Sequence, residues 1–208
     1  MAKKSATEVL LKYLPEASIA PCIVWMNEFR LQLTIKKSRA TKLGDFRPAH
    51  DGKPARITVN GDLNKYAFLI TLVHEIAHGI CWDKYQRKVA PHGKEWKSIY
   101  SNYLSQFIGK EIFPKELEPI IVQHINRPKA SSCSDTSLLK ALKAYDDNPV
   151  IHLEELPEDA IFQLSTGRVF QKKELKRKRY ICIELSSKKR YLVNGIAEVI
   201  PMTEIDKQ

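Results

Sequence analysis

From Tyr66 to Cys81 the chain is apolar on nearly every side of a helical projection. That is the pattern of a helix buried all round rather than one lying on a surface. Inside the run stand His74, Glu75 and His78, in the order H-E-x-x-H. Ionisable groups there need partners, because an unpaired buried polar group costs several kcal/mol. Positions four apart share one face of an α-helix. His74 and His78 can therefore each offer an imidazole nitrogen to a single zinc ion. Glu75 sits one helical position round, where its carboxylate can reach a water at the metal without binding the metal itself. This is the arrangement of a zinc hydrolase with a glutamate base. Two core histidines satisfied by hydrogen bonds are the competing reading, but the metal accounts for all three residues together.

The third ligand is less constrained. A metzincin spacing would need a histidine at position 84, where Lys84 stands instead. His92 is the obvious replacement. It lies in a short loop where Pro91 restricts the backbone and Gly93 permits a close approach or an unusual turn. A helix is predicted from about Lys94, with Trp96, Ile99, Tyr100, Tyr103, Leu104, Phe107 and Ile108 at helical spacing. Packed on the metal helix, it would hold His92 over the site. Two alternatives stay open at this level: His92 capping its own helix, and Glu95 as the ligand. Three protein ligands with a fourth position free mark a catalytic zinc, whereas a structural zinc is closed by four.

Further stretches surround these motifs: Arg39-Ala40-Thr41-Lys42-Leu43-Gly44-Asp45-Phe46-Arg47, then Ile57-Thr58-Val59-Asn60, and finally His92-Gly93-Lys94-Glu95-Trp96. Together with the H-E-x-x-H core, and in this order, they make residues Leu31 to Tyr103 resemble the SprT-like family of zinc metallopeptidases. That family includes the bacterial SprT proteins and the Spartan DNA–protein crosslink proteases. The resemblance implies a zincin-like core, one catalytic Zn2+ held by His74, His78 and His92, and Glu75 as the base. It also implies protein substrates bound or crosslinked to DNA, with DNA recruiting and activating the enzyme. Many bacterial relatives carry a C-terminal zinc ribbon built from two cysteine pairs. Here only Cys182 stands in such a region, so a cysteine-ligated second zinc is not expected.

With 208 residues, 43% of them hydrophobic and 28% charged, the composition is that of a soluble globular protein with a real core. No apolar run is long enough to span a bilayer. Met1-Ala2-Lys3-Lys4-Ser5 has basic residues with no apolar signal core behind them, so secretion is not expected. Four cysteines, Cys22, Cys81, Cys133 and Cys182, form no C-x-x-C pair. They read as free thiols of a reducing compartment, hence a cytoplasmic protein, and DNA as a partner would place it at the nucleoid. A net charge of +10 favours polyanions, nucleic acid before an anionic membrane surface. A solubility device is the plainer explanation of the same charge.

The expected fold class is α+β: helices with a small antiparallel sheet over residues 1–147, then a small, basic, antiparallel β subdomain over residues 148–208. Helices are expected at Thr7–Leu14, Ile19–Phe29 and Asp135–Tyr145, and strands at Leu31–Ile35 and Ile57–Val59. The segment from Lys36 to Arg56 reads as a basic connection, and Asn60 or Asp62 as the cap of the metal helix. The domain boundary is placed near Asp146-Asp147-Asn148-Pro149. Beyond it, Ser165-Thr166-Gly167 and Ser186-Ser187-Lys188-Lys189 read as hairpin turns. The run containing Lys172, Lys173, Lys176, Arg177, Lys178 and Arg179 is the densest basic patch. Flanked by Phe170 and Tyr180, it is a candidate to grip a phosphate backbone and stack bases in a sequence-independent way. A loop of solvated lysines is the alternative. His124 reads as a lone structural or surface histidine, and Tyr100 or Tyr103 as a candidate oxyanion donor. Two function classes follow: a zinc endopeptidase, or a nucleic-acid-binding regulatory module whose zinc is not catalytic.

Overall fold

The computed structural model describes residues 5–39, 42–129, 135–146, 151–177 and 179–202. The chain divides into two compact units, Met1–Asp147 and Asn148–Gln208. Asp147, Asn148 and Pro149 of the expected boundary, together with Cys133 and Lys178, lie outside the described residues. The class is α+β, with six α-helices and two sheets among the described residues.

The first unit begins with α1 (Ala6–Leu10) and α2 (Glu16–Glu28). Ser5 and Glu8 form a reciprocal capping box that starts α1. Three strands follow, β1 (Gln32–Lys36), β2 (Gly44–Arg47) and β3 (Arg56–Asn60), in the sheet order β1-β3-β2. This sheet is mixed rather than antiparallel, because β1 runs parallel to β3 while β2 runs antiparallel to it. The link from β1 to β3 is long enough for a crossover, which a parallel pair requires and a hairpin does not. Within that link the basic connection yields β2. In register, Leu33 faces Ile57 and Ile35 faces Val59, while Phe46 and Gly44 lie opposite the same two residues on the other side. One sheet face is thereby apolar, and Ile57 and Val59 on it are fully buried.

Helix α3 (Lys65–Tyr85) is the core of this unit. Phe68, Leu69, Ile70, Leu72, Val73, Ile76, Ala77 and Ile80 are all fully buried along it. Each such large side chain contributes about 1.5–3 kcal/mol of burial. Its cap is Asn64, not Asn60 or Asp62: the Asn64 Oδ1 accepts from the backbone N–H of Tyr66 at 3.1 Å and Ala67 at 3.0 Å. Helix α4 (Lys94–Ser105) buries Trp96, Tyr100 and Leu104, and α5 (Glu118–Asn126) and α6 (Thr136–Lys143) complete the unit. Asn64 also donates from Nδ2 to the Leu142 carbonyl at 2.9 Å and to Asp146 at 2.6 Å, joining the start of α3 to the end of α6.

The second unit is one six-stranded antiparallel sheet made of β4 (Ile151–His152), β5 (Ile161–Leu164), β6 (Val169–Lys176), β7 (Arg179–Glu184), β8 (Arg190–Asn194) and β9 (Glu198–Met202). Their order is β4-β9-β5-β6-β7-β8. Leu153, Phe162, Phe170, Cys182 and Val199 form its core. Among the described residues no helix is long and apolar enough to cross a membrane.

Because Asn64 both caps α3 and anchors α6, Asn64→Ala should lower the unfolding free energy by about 1–2 kcal/mol. Urea denaturation with an unchanged m-value checks this. A loss of only about 0.2 kcal/mol, the scale of a surface substitution, would contradict the double role.

Candidate metal centre

Helix α3 delivers His74, Glu75 and His78, and the turn after it delivers His92. The backbone of His92 is left-handed, with φ 58°. Few non-glycine residues adopt that conformation, and where they do it is commonly at functional sites. Gly93 itself is extended, with φ −68° and ψ −173°. Its missing side chain matters for space instead, since a Cβ there would lie 3.0 Å from the Ala90 carbonyl. His92 does not cap α4, whose N-terminus carries no side-chain cap.

The three imidazoles meet at their Nε2 atoms. His74 and His78 are 3.2 Å apart, His74 and His92 3.2 Å, and His78 and His92 2.9 Å. Hydrogen bonding cannot satisfy such a triangle. A neutral imidazole nitrogen is either a donor or an acceptor. One N–H can serve two neighbours, but those two then face each other lone pair to lone pair. A shared cation removes the conflict. Ligands about 2.0–2.1 Å from one tetrahedral zinc stand about 3.3–3.4 Å from each other, close to the spacing found. Burial pushes the His74 imidazolium down to about 3 and that of His78 to about 4, with the neighbouring histidines adding to the effect, and burial lowers His92 too. All three are thus held neutral, as metal ligands must be. Among the described residues this is the one group of His, Cys, Asp or Glu donors close enough to share an ion, and Glu95 is not in it.

Trp96 is the floor beneath the triangle. Fully buried, its ring centre lies 4.6 Å from His74, 5.1 Å from His78 and 4.6 Å from His92. Tyr100 stacks flat behind it at 5.0 Å and 10°. The Tyr100 hydroxyl meets His124 Nε2 at 3.1 Å, and His124 Nδ1 meets an Asp135 oxygen at 2.8 Å. Since the carboxylate accepts from Nδ1–H, Nε2 is the acceptor for the tyrosine O–H. Of its two expected readings, structural or surface, His124 takes the structural one: it is a buried link, 2% exposed, and it is not alone. This link removes Tyr100 from the expected oxyanion donors, because its hydroxyl is committed to His124.

Glu75 is buried beside the triangle, and burial, with Asp45 nearby, pushes its carboxyl up to about 8 against the pull of Arg39 and Lys42. Its carboxylate lies against Gly44, where a Cβ would come 2.4 Å from Oε1. The loop before Gly44 is tied to β3. Arg39 Nε donates to Asn60 Oδ1 at 2.8 Å and Nη1 to Thr58 Oγ1 at 3.1 Å, while Asn60 Nδ2 donates to the Lys42 carbonyl at 3.1 Å. Asn60, read from sequence as a helix cap, thus positions the strand that faces Glu75. Phe46, next along β2, lies parallel to the His78 ring at 6.5 Å.

The basic patch of the second unit is smaller than its sequence suggests. Lys172 is buried, with Nζ donating to the carbonyls of Leu156 at 2.5 Å and Glu154 at 3.4 Å and lying 4.0 Å from the Tyr180 ring centre. Lys173 is paired with Asp159. Phe170 is buried against Phe162 and under the Arg168 guanidinium, so it is no platform for a base. The hydrophobic sheet face needed side chains at Phe170 and Lys172, and alternation turns both inward. Lys176, Arg177 and Arg179 remain exposed at the β6–β7 hairpin.

Residues 19–115 match the SprT-like family, extending past both ends of the Leu31–Tyr103 stretch. No curated protein and no solved structure matches the chain.

In the metal-free protein, Glu75 keeps its proton up to about 8 when folded but releases it near its ordinary 4.5 when unfolded. Between those values the folded state binds more protons, so stability falls as pH rises. The histidines act in the opposite sense below about 6.5 and cancel when a variant retaining them is subtracted. The stability advantage of Glu75→Gln over the unmodified protein should therefore grow from pH 4.5 to 8 in urea titrations. A flat difference would contradict the burial of an ionisable Glu75.

Proposed function

With residues 19–115 forming a SprT-like domain, we propose that this chain is a zinc-dependent endopeptidase acting on proteins bound or crosslinked to DNA. The observation that carries the reading is the Nε2 triangle of His74, His78 and His92 with a buried carboxylate, Glu75, beside it. Zinc, when bound, would supply Lewis acidity to a scissile carbonyl and lower the pKa of a water. Glu75 would take a proton from the attacking water and return it to the leaving amine. Burial holds Glu75 protonated up to about 8 in the metal-free protein, and a zinc dication beside it would favour the carboxylate form that the base role requires. Strand β2 lies at a sheet edge, and an extended polypeptide can add to such an edge as a further strand.

DNA as the setting is supported by the net charge of +10 and by the exposed Lys176, Arg177 and Arg179. With Phe170 and Lys172 turned inward, contact would be to phosphates rather than bases, hence sequence-independent and salt-sensitive. A regulatory module with a purely structural zinc is less well supported. Structural sites are closed by four ligands, and three donors converge here among the described residues.

Glu75→Gln should keep its zinc and lose about 10²-fold or more in cleavage of a DNA-bound protein. Gly44→Ala should do the same, because its methyl group occupies the carboxylate's place. Zinc content by mass spectrometry and cleavage on gels, with and without DNA, check both halves. Undiminished cleavage by Glu75→Gln would refute the peptidase mechanism. Cleavage indifferent to DNA, with no DNA binding at moderate salt, would refute the DNA setting alone.

A further inference from the structure

Beside the metal centre lies a cavity of about 340 Å³. His78 and His92 form the wall it shares with the triangle, so whatever fills it is next to the reacting bond. Its other lining includes the exposed Gln86 and, from three separate elements, Phe46 of β2, Cys81 and Trp82 of α3, and Val89 of the loop that leads to His92. The last four side chains are apolar. Among the described residues no aspartate or glutamate lines the cavity, and the one cationic side chain there is Arg87, whose guanidinium lies 5.9 Å from the Trp82 ring centre.

We propose that this cavity is a specificity subsite of the peptidase, taking a large apolar side chain (leucine, methionine or phenylalanine) from the residue adjoining the scissile bond, and rejecting lysine and arginine. The inference rests on the peptidase reading above and names the substrate feature that reading leaves open. Two observations commit the cavity to a side chain of an extended polypeptide. It is continuous with the wall formed by two of the three histidines. It is flanked by edge strand β2, whose Gly44 and Phe46 both turn toward α3, as their contacts with Glu75 and His78 show. A strand laid along β2 sends alternate side chains to one face, so when its backbone passes Glu75 one side chain is directed toward Phe46 and Trp82. Apolar walls favour an apolar occupant by the area they remove from water. A lysine or arginine there would lay its charge against apolar walls and beside the like charge of the exposed Arg87.

The test uses the full-length zinc-loaded chain with fluorescein-labelled Gly-Ser decapeptides carrying a single Leu, Ala or Lys, and a mixed peptide library read by mass spectrometry. Cuts should cluster beside Leu, Met and Phe, with the Leu peptide favoured over Ala by about tenfold or more in kcat/KM and the Lys peptide disfavoured. Val89→Phe, which fills the cavity, should cut the Leu-to-Ala ratio by about tenfold, and Trp82→Ala, which widens it, should shift preference toward aromatic residues. Binding of the same peptides to the Glu75→Gln chain gives a readout independent of hydrolysis: the Leu peptide should bind tighter than Ala or Lys, and Val89→Phe should erase the difference. Selective binding without cleavage by any form would defeat the peptidase reading and leave the subsite standing. Cleavage with no residue preference, enrichment of Lys or Arg beside the cut, equal binding or no binding of the three peptides, or a preference unmoved by both variants would overturn the subsite.

Discussion

Imidazole lone pairs set 2.9–3.2 Å apart repel one another unless a cation stands between them, and the N-terminal unit contains the means to hold three of them at that spacing. A 21-residue helix, buried nearly all round from Ala67 to Cys81, fixes His74 and His78 one turn apart. A left-handed backbone at His92, a conformation that costs about 1–3 kcal/mol, brings the third ring back over the helix. Trp96 closes the space beneath all three, and burial removes the protons that would compete with a metal. The close approach of the three rings and the left-handed backbone at His92 cost stability, and a shared ion is what makes them consistent with the rest of the unit.

The supports of the centre reach beyond the segment that matches the family. Trp96 rests on Tyr100, Tyr100 on His124, and His124 on Asp135, which also caps α6. His124 and Asp135 lie past residue 115, where the match ends. On the other side, Arg39 and Asn60 clamp the loop that presents Gly44 to Glu75. A rigid floor and a rigid wall thus flank the ligands, and the cavity between Phe46 and Trp82 is the opening left at one side.

Much of this was legible in the residues because it depends on local periodicity. The i, i+4 histidines, the apolar surround of α3, the amphipathic spacing of α4 and the hairpin turns of the second unit all follow from rules that act within a few residues. What was not legible depends on distant partners. β2 was hidden because Gly44-Asp45-Phe46-Arg47 has no β-branched residue and becomes a strand by pairing with β3. The parallel pairing of β1 with β3 is a matter of crossover, which local pattern does not report. His124 looked isolated because its partners, Tyr100 and Asp135, are 24 and 11 residues away. Lys172 and Phe170 looked like a binding patch because charge and aromaticity are visible in a sequence, whereas the inward face of a strand is settled by register. Asn60 and Asn64 are chemically equal candidates for a cap, and only the position where α3 begins distinguishes them.

The claim on which the rest turns is that His74, His78 and His92 share one ion, and the most direct measurement is zinc titration of the purified chain combined with X-ray absorption at the zinc edge. The account predicts one zinc per chain, a first shell of nitrogen and oxygen with imidazole scattering at about 2.0–2.1 Å, and loss of stoichiometric binding in His92→Ala. A chain that takes up no zinc, a shell containing sulfur, or binding that survives His92→Ala unchanged would contradict it.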